Sequence, residues 1–197
     1  MQFDDLPIFV TNTTDITEAV PIFSPYHHFT FSQGYVYAPL PKTPFQAVSP
    51  PHLAVFVTNS SGAPDVPSSG FVRPGELGAG YRLSQSAYWF NAYSAYLGCD
   101  YSNPTGCIYE VSGYIYDSAS QTEVLAYQTN LTVPGCTKLM DCQLSFVEFP
   151  NDYQGLSGLQ IRAFGREDQR IWFMDELALG WYDNTCSAGL LRSRSRR

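Results

Sequence analysis

The sequence contains little lysine, no long apolar run and no helical hydrophobic period. Only 2 of its 197 residues are lysine and 9 are arginine, against 18 acidic residues. No segment approaches the roughly 18 consecutive apolar residues that a membrane span requires, so we expect no membrane insertion. No stretch of a dozen residues keeps the apolar spacing of an amphipathic helix without a Gly or Pro. These absences exclude a coiled coil and disfavour a helical bundle.

The abundant residues are those of a turn-rich β protein: 29 are Gly or Pro and 30 are aromatic. Apolar and polar residues alternate with a period of two in nine segments, at residues 26–31, 34–37, 53–57, 88–97, 108–116, 123–133, 143–149, 159–164 and 171–179. The segment 58–80 is rich in Gly and Pro and predicts a long loop. Strands without alternating helices predict an all-β, two-sheet antiparallel β-sandwich of jelly-roll type, with a closed barrel as the second choice.

The domain organisation follows from the same pattern. We expect a single β-sandwich domain over residues 1–190 and a disordered Arg/Ser-rich tail over 191–197. The net charge is −7, but residues 1–191 carry 7 basic and 18 acidic groups, which gives −11. A body of this charge repels phosphate backbones, so we expect no nucleic-acid partner. It suits a neutral ligand or a divalent cation instead.

Four of the five cysteines bracket two short turn-like segments. Short loop closure favours the pairs Cys99 with Cys107 and Cys136 with Cys142, although other pairings are open. Cys186 is then left over. No C-x-x-C pattern and no Cys/His cluster indicates zinc, so the cysteines favour an oxidising, extracellular compartment.

Three N-glycosylation sequons also favour secretion. They begin at Asn12, Asn59 and Asn130 and lie near polar or Pro/Gly-rich stretches. The start MQFDDLP lacks the basic and apolar regions of a signal peptide. We therefore expect this sequence to be a mature domain of a secreted glycoprotein, extracellular or attached to a cell wall.

An ordered series of short motifs runs along nearly the whole chain. It comprises FDDLP at 3–7, YHHFTF at 26–31, SPP at 49–51, FNAYSAYL at 90–97, VSGY at 111–114, FMDEL at 173–177 and WYDNTCSAGL at 181–190. The series resembles the galactose-binding-like jelly-roll domains of extracellular proteins, and its last motif resembles a family of uncharacterised secreted fungal proteins. The resemblance implies a jelly-roll fold, a surface location and carbohydrate attachment as the commonest use of the fold, whereas function is not inherited from fold alone.

Asp175 is predicted to lie on the apolar face of the last strand, in parity with Phe173 and Leu177. An unpaired carboxylate there is costly, so a partner must satisfy it. Domains of the resembled type often join their first and last strands around a structural Ca²⁺, and Asp4 and Asp5 lie in the first element. The resemblance therefore implies a calcium site at Asp4, Asp5 and Asp175. The alternatives are that Asp175 accepts hydrogen bonds from backbone N–H groups of a neighbouring loop, or pairs with an arginine such as Arg162.

The aromatic residues predict a second kind of site. The central strand and its neighbours hold more rings than one core of this size is expected to bury, and exposed rings stack on sugars. Trp89 and Tyr93 share one face of their strand, opposite Tyr88, Phe90 and Tyr96. We predict a sugar platform at Trp89, Tyr93 and Tyr101, with Asn91 as a hydroxyl partner.

Two further classes of function are open. A glycan-active hydrolase or lyase would need two carboxylates about 5 to 9 Å apart, and five are formally eligible: Asp100, Glu110, Asp117, Glu148 and Glu176. A structural cell-surface protein would need no small ligand. His27 and His28 are adjacent on a predicted strand and so point to opposite faces, which argues against joint metal chelation. The sequence favours a monomeric, non-catalytic domain that binds extracellular or cell-wall polysaccharide.

Overall fold

The computed structural model describes residues 1–8, 19–39, 44–58, 72–166 and 168–194. In these residues the strands are β1 (Val20–Pro21), β2 (Thr30–Phe31), β3 (Tyr35–Pro39), β4 (Phe45–Gln46), β5 (His52–Phe56), β6 (Glu76–Gly78), β7 (Phe90–Cys99), β8 (Cys107–Asp117), β9 (Thr122–Val133), β10 (Cys142–Gln143), β11 (Ser145–Glu148), β12 (Gly158–Gly165), β13 (Asp168–Gln169) and β14 (Trp172–Trp181). A helix, α1, spans Cys186–Arg194. Of the part of the chain that is described, no helix is long and apolar enough to cross a membrane.

The strands form two large antiparallel sheets that do not close into a barrel. Sheet I has the order β1-β3-β5-β14-β7-β11, and sheet II has the order β2-β6-β12-β8-β9, with β13 paired to β12. The main core lies between them and contains Phe90 and Trp172 from sheet I, and Tyr109 and Leu159 from sheet II. The predicted two-sheet antiparallel β-sandwich is confirmed.

Sheet I is covered on part of its outer face as well. A second apolar cluster, which includes Phe45, Leu53, Val55 and Phe173, lies there. The small parallel pair β4 and β10 contributes to this cover. The five residues of β5 are all buried for this reason, which explains why its sequence HLAVF is almost continuously apolar.

The two predicted disulfides are confirmed. Cys99 is bonded to Cys107 and Cys136 to Cys142, while Cys186 is free and exposed at the start of α1. The first bond joins the end of β7 in sheet I to the start of β8 in sheet II, so it links the two layers of the sandwich.

The expectation of a disordered tail from residue 191 is wrong for residues 191–194, which form the last turn of α1. The cause is Arg192, which is buried and donates hydrogen bonds from Nη1 to the carbonyls of Ala87 at 2.5 Å and Asp183 at 3.0 Å. Its guanidinium also lies 4.6 Å from the ring centroid of Trp181. These contacts fix the end of the helix to the body of the protein.

Three further local predictions are corrected by the structure. Residues 27 and 28 form a tight turn, not a strand interior, because His27 and His28 have φ angles of 47° and 75°. Glu76–Gly78, predicted as loop, is strand β6. The single face predicted for β14 is divided at Glu176, whose φ is 50°: Phe173 packs in the outer cluster, whereas Leu177 packs in the main core.

Candidate functional site

An open cleft of about 260 Å³ lies on sheet I where β7, β11 and the segment after β11 meet. Its lining residues are Ala92, Tyr93, Ser94, Phe146, Glu148, Phe149, Pro150, Asn151, Tyr153 and Gln154, and we call it the Tyr93 cleft. Tyr93 is 50% exposed and Phe146 is 53% exposed. Two large rings therefore border the cleft and remain accessible to solvent.

Backbone hydrogen bonds hold the walls of the cleft. The β7 residues Tyr93 and Ala92 are bonded to the segment that follows β11, because Phe149 N donates to the Tyr93 carbonyl at 2.8 Å and Ala92 N donates to the Tyr153 carbonyl at 3.0 Å. The side chain of Tyr153 is buried in the main core and donates its hydroxyl to the Val111 carbonyl at 2.8 Å. Burial raises the pKa of Tyr153 to about 12, so this hydroxyl stays neutral.

The rim of the cleft is polar. Glu148, Asn151 and Gln154 are exposed there, and Gln154 Nε2 donates to the Asn151 carbonyl at 2.7 Å. Alternation along β11 directs both Phe146 and Glu148 outward. The arrangement combines exposed rings with amide and carboxylate groups, which are hydrogen-bond partners for hydroxyl-rich ligands.

Asn91 and Gly180 set the position of the Tyr93 ring. Asn91 Nδ2 donates to the Tyr93 hydroxyl at 3.3 Å, and Asn91 Oδ1 accepts from Gly155 N at 3.0 Å. A Cβ atom at Gly180 would lie 2.9 Å from the Tyr93 hydroxyl and 3.0 Å from Cε2. The hydroxyl edge of the ring therefore lies close to β14 only because residue 180 has no side chain.

The structure brings together two of the four predicted ligand-binding residues, Tyr93 and Asn91. Trp89 directly precedes β7, and its Nε1 donates to the Leu83 carbonyl at 2.8 Å. Tyr101 lies after the end of β7, with the guanidinium of Arg170 at 4.8 Å from its ring centroid. Neither Trp89 nor Tyr101 lines the Tyr93 cleft.

Sequence reasoning missed Phe146, Asn151 and Gln154 as site residues and treated Glu148 only as an eligible carboxylate. The segment FVEFPNDYQ does carry a signal, because two outward residues of a short strand precede a Pro-Asn-Asp turn. Pairing of β11 with β7 places this segment beside Tyr93, with Glu148 opposite Ser94. That pairing joins segments about fifty residues apart and is not encoded in either segment alone.

The predicted calcium residues divide into two groups. Ser49 joins Asp4 to Asp175, since its Oγ donates to Asp4 Oδ2 at 2.5 Å and its backbone N–H donates to Asp175 Oδ2 at 2.9 Å. Asp5 turns away and contacts the Tyr26 hydroxyl and His27 Nε2. Among the described residues, no group of three or more His, Cys, Asp or Glu side chains could hold a metal ion.

Asp175 is satisfied in the way that one sequence alternative predicts. Its carboxylate accepts from the backbone N–H of Ser49 and, at 2.7 Å, from that of Glu176. Burial raises the pKa of Asp175, and these N–H groups oppose the shift. Arg162 pairs with Glu110. Of the carboxylate oxygens around Ser49, Asp4 Oδ1 is buried without a hydrogen-bond partner. The calcium site stays a prediction.

A second acidic cluster, which no sequence argument identified, lies on the outer side of sheet II. Arg73 Nη1 lies 3.0 Å from Glu76 Oε2 and 3.0 Å from Glu123 Oε2, and its guanidinium is 3.8 Å from the ring centroid of Tyr114. Glu76 is fully buried and its Oε1 has no hydrogen-bond partner. Burial and the adjacent Glu123 raise the pKa of Glu76 to about 8.

His27 and His28, which were predicted to point to opposite faces, line one cleft of about 270 Å³ with Phe29, Leu179 and Trp181. The cause is the tight turn, whose left-handed backbone replaces the alternation of a strand. His28 lies 5.9 Å from Trp181 between ring centroids.

Of the three predicted glycosylation positions, Asn12 and Asn59 lie outside the described residues. Asn130 is exposed on β9, the outermost strand of sheet II, opposite Glu110. An attached glycan at Asn130 would project from the outer face of sheet II, because the next residue, Leu131, packs on the core side. Its modification stays a prediction.

Comparisons with known proteins identify the family of the chain. A DUF4465 family protein from Bacteroides caccae ATCC 43185, known from a crystal structure, is similar with a TM-score of 0.45 and 11% identity, over 75% of this chain and 73% of that chain. No curated protein matches. A family model described as a domain of unknown function, DUF7371, matches residues 1–192, and the chain belongs to this family.

Proposed function

We propose that this domain binds carbohydrate without catalysis, and that the Tyr93 cleft is the binding site. The observation that carries the proposal is the pair of exposed rings, Tyr93 and Phe146, at an open cleft with a polar rim. Aromatic faces stack on the apolar face of a sugar ring, while Asn151, Gln154 and Glu148 offer hydrogen bonds to its hydroxyls. Exposed apolar groups that lie together inside a polar rim mark interaction sites, and Tyr93 and Phe146 border one such cleft.

The charge of the cleft supports a neutral or cationic glycan. Glu148 is acidic, and none of the described residues that line the cleft is basic. The remainder of the molecule adds to the negative field, because residues 1–191 carry −11. A polymer of uronic acids or sulfated sugars would be repelled by both.

An extracellular location is the second part of the proposal. Two disulfides in a chain of this size are typical of secreted domains. The exposed sequon at Asn130 favours the same compartment. So does the motif series, which resembles galactose-binding-like domains of extracellular proteins and, in its last motif, a family of secreted fungal proteins. Cell-wall polysaccharide is the partner we propose for a monomeric domain.

A glycan-active enzyme is the second candidate, because the carboxylates of Glu76 and Glu123 share the same Arg73 nitrogen. Glycosidases commonly use two neighbouring carboxyl groups, one of which has a raised pKa as Glu76 does. The side chains are, however, 0% and 4% exposed, so no sugar reaches them in this conformation. Burial therefore favours the binding proposal over the catalytic one.

The first experiment measures depletion of the purified domain from solution by insoluble chitin, β-glucan and cellulose. We expect saturable depletion by at least one polymer and no released sugar in the supernatant. Tyr93→Ala should weaken binding by about tenfold, for a loss of roughly 1.4 kcal/mol of stacking. Tyr81→Ala is the matched control, because Tyr81 is 60% exposed and lies outside the cleft. Released sugar would favour the enzyme, and absence of both depletion and release would favour a structural protein.

Calcium is tested on the same samples. We propose that Asp4 Oδ1 contributes to a cation site with backbone carbonyl oxygens, since it is buried without a partner. Calcium should then raise the melting temperature, EDTA should reverse the rise, and Asp4→Asn should abolish it. Asp5→Asn is the control, because the Asp5 side chain is directed to Tyr26 and His27. A melting temperature that ignores calcium would count against the site.

A further inference from the structure

A second exposed ring, Tyr182, lies beside the Tyr93 cleft but outside its lining. It follows β14 directly and is 54% exposed. A Cβ atom at Gly155 would lie 3.5 Å from Tyr182 Cε2 and 3.6 Å from both Cδ2 and Cζ. Three neighbouring ring atoms at nearly equal distances mean that the ring lies flat over Gly155. Its exposed area is therefore chiefly the opposite face, the orientation that stacking on a sugar requires.

Asn91 links this ring to the predicted one. Its Oδ1 accepts from the N–H of Gly155, the residue beneath Tyr182, at 3.0 Å, and its Nδ2 donates to the Tyr93 hydroxyl at 3.3 Å. The backbone N–H of Tyr182 also donates to the Trp89 carbonyl at 2.9 Å. Both rings are thus fixed to the start of β7, on either side of one amide side chain.

The number of exposed rings sets the length of ligand that covers all of them. One sugar ring stacks on one aromatic face, so Tyr93 and Tyr182 together require two sugar rings. The amide nitrogen of Asn91 carries two N–H donors, of which the Tyr93 hydroxyl uses one, so the other remains for a ligand hydroxyl.

We infer that the site extends from the Tyr93 cleft across Asn91 to Tyr182 and binds several consecutive sugars of a polysaccharide chain, not a single sugar. The inference rests on the proposed carbohydrate-binding function and adds Tyr182 as a residue that makes the site prefer longer oligosaccharides. Its contribution appears only with ligands long enough to cover both rings.

The test uses oligosaccharides of one to six units from the three polymers: chito-, laminari- and cello-oligosaccharides. Titration calorimetry should show affinity that rises by about tenfold from the shortest bound oligomer to the hexamer. Tyr182→Ala should remove this gain and leave the affinity for the shortest bound oligomer unchanged. Tyr182→Phe should keep the gain because it keeps the ring. Tyr93→Ala should weaken binding at every length, and the off-site control Tyr81→Ala should change nothing.

The outcomes separate the two proposals. Affinity independent of oligomer length, or a Tyr182→Ala variant that matches the unmodified protein at every length, would overturn the extended site and leave the Tyr93 cleft in place. Absence of binding to all three polymers and all oligomers would overturn the carbohydrate-binding function, and the extended site with it. Because Tyr182 is an exposed residue, circular dichroism and thermal melting of each variant are expected to match those of the unmodified domain.

Discussion

The absence of a side chain at Gly180 leaves room for the Tyr93 ring. A Cβ atom at Gly180 would lie only 2.9 Å from the Tyr93 hydroxyl, which also accepts a hydrogen bond from Asn91. The contact is with the far end of a side chain, so a methyl group there would displace the ring and leave the strand intact. Gly180 therefore sets the position of the Tyr93 ring, which is the stacking surface of the proposed site.

Gly180→Ala should bind glycan several-fold more weakly while its stability changes by less than about 1 kcal/mol, because the reduced freedom of the unfolded chain offsets the local crowding. Depletion by the polymer that binds the unmodified domain, together with urea unfolding, measures both effects. Gly189→Ala is the matched control, since a Cβ at Gly189 meets no atom within 4 Å. Unchanged glycan binding by Gly180→Ala would show that the ring position does not matter.

Glu76 makes the stability of the domain depend on pH. Its pKa rises from 4.5 to about 8 in the folded protein, because of burial and the neighbouring Glu123, with Arg73 opposing the shift. Between these values the folded chain retains a proton that the unfolded chain has lost. The protonated Glu76 side chain therefore makes its full contribution to the free energy of unfolding below pH 4.5, and this contribution is lost as pH rises through about 8.

Glu76→Gln should flatten the fall in unfolding free energy between pH 5 and pH 9, since the amide imitates the protonated acid at every pH. Urea unfolding at intervals across this range gives the measurement. Glu148→Gln, a change of the same type on the exposed rim, serves as the control. If the Glu76→Gln variant kept the full slope, another group would be responsible for it.

At the scale of the elements, long strands were predictable and their irregularities were not. The segments 108–116 and 123–133 correspond to β8 and β9 because alternation continues over many residues. In β7 the buried residues change parity between Ala92 and Ala95, so Tyr96 packs in the outer cluster on the same side as Tyr93. The matching register shifts in β14 arise from pairing between distant segments, which alternation along one strand does not encode.

The short elements show the same limit. Two-residue strands such as β4 and β10 exist because a neighbour offers hydrogen-bond partners, not because of any local period. Asp175 illustrates the same limit: the sequence predicted a buried carboxylate in need of a partner, and besides the N–H of Glu176 its donors come from residues 48 and 49, far away in the chain. The same holds for the aromatic candidates: Tyr93 lines the cleft and Tyr101 does not. Pairing between distant strands decides which ring lies there.

Helix α1 depends on one buried arginine more than on its own sequence. Replacing Arg192 by alanine removes two hydrogen bonds to backbone carbonyls and the contact with Trp181. We expect a loss of about 2–3 kcal/mol in unfolding free energy, with faster proteolysis within residues 186–194. Arg194→Ala, at an exposed position of the same helix, should have little effect. Equal stability of the two variants would contradict this account of how the tail is held.

In the whole molecule, the two outer faces of the sandwich differ in what covers them. Sheet I has an apolar cover around Phe45 on one part and open rings around Tyr93 on another. Sheet II carries Glu76 and Glu123 beneath Arg73. The open part of sheet I thus brings exposed aromatic rings and polar side chains together, within an acidic molecule of net charge −7.

This charge distribution predicts how binding responds to salt. A neutral glycan held by stacking and hydrogen bonds should bind equally well at low and high ionic strength. Salt screens only interactions between charges, with a Debye length of about 10 Å at 0.1 M. Polygalacturonate should not bind at low salt, where its repulsion from Glu148 and the acidic body is strongest. Depletion by the neutral polymer and by polygalacturonate over a range of NaCl concentrations tests both expectations. Binding of polygalacturonate that weakens with salt would require a basic surface that the Tyr93 cleft does not have, and would move the binding site to another part of the chain.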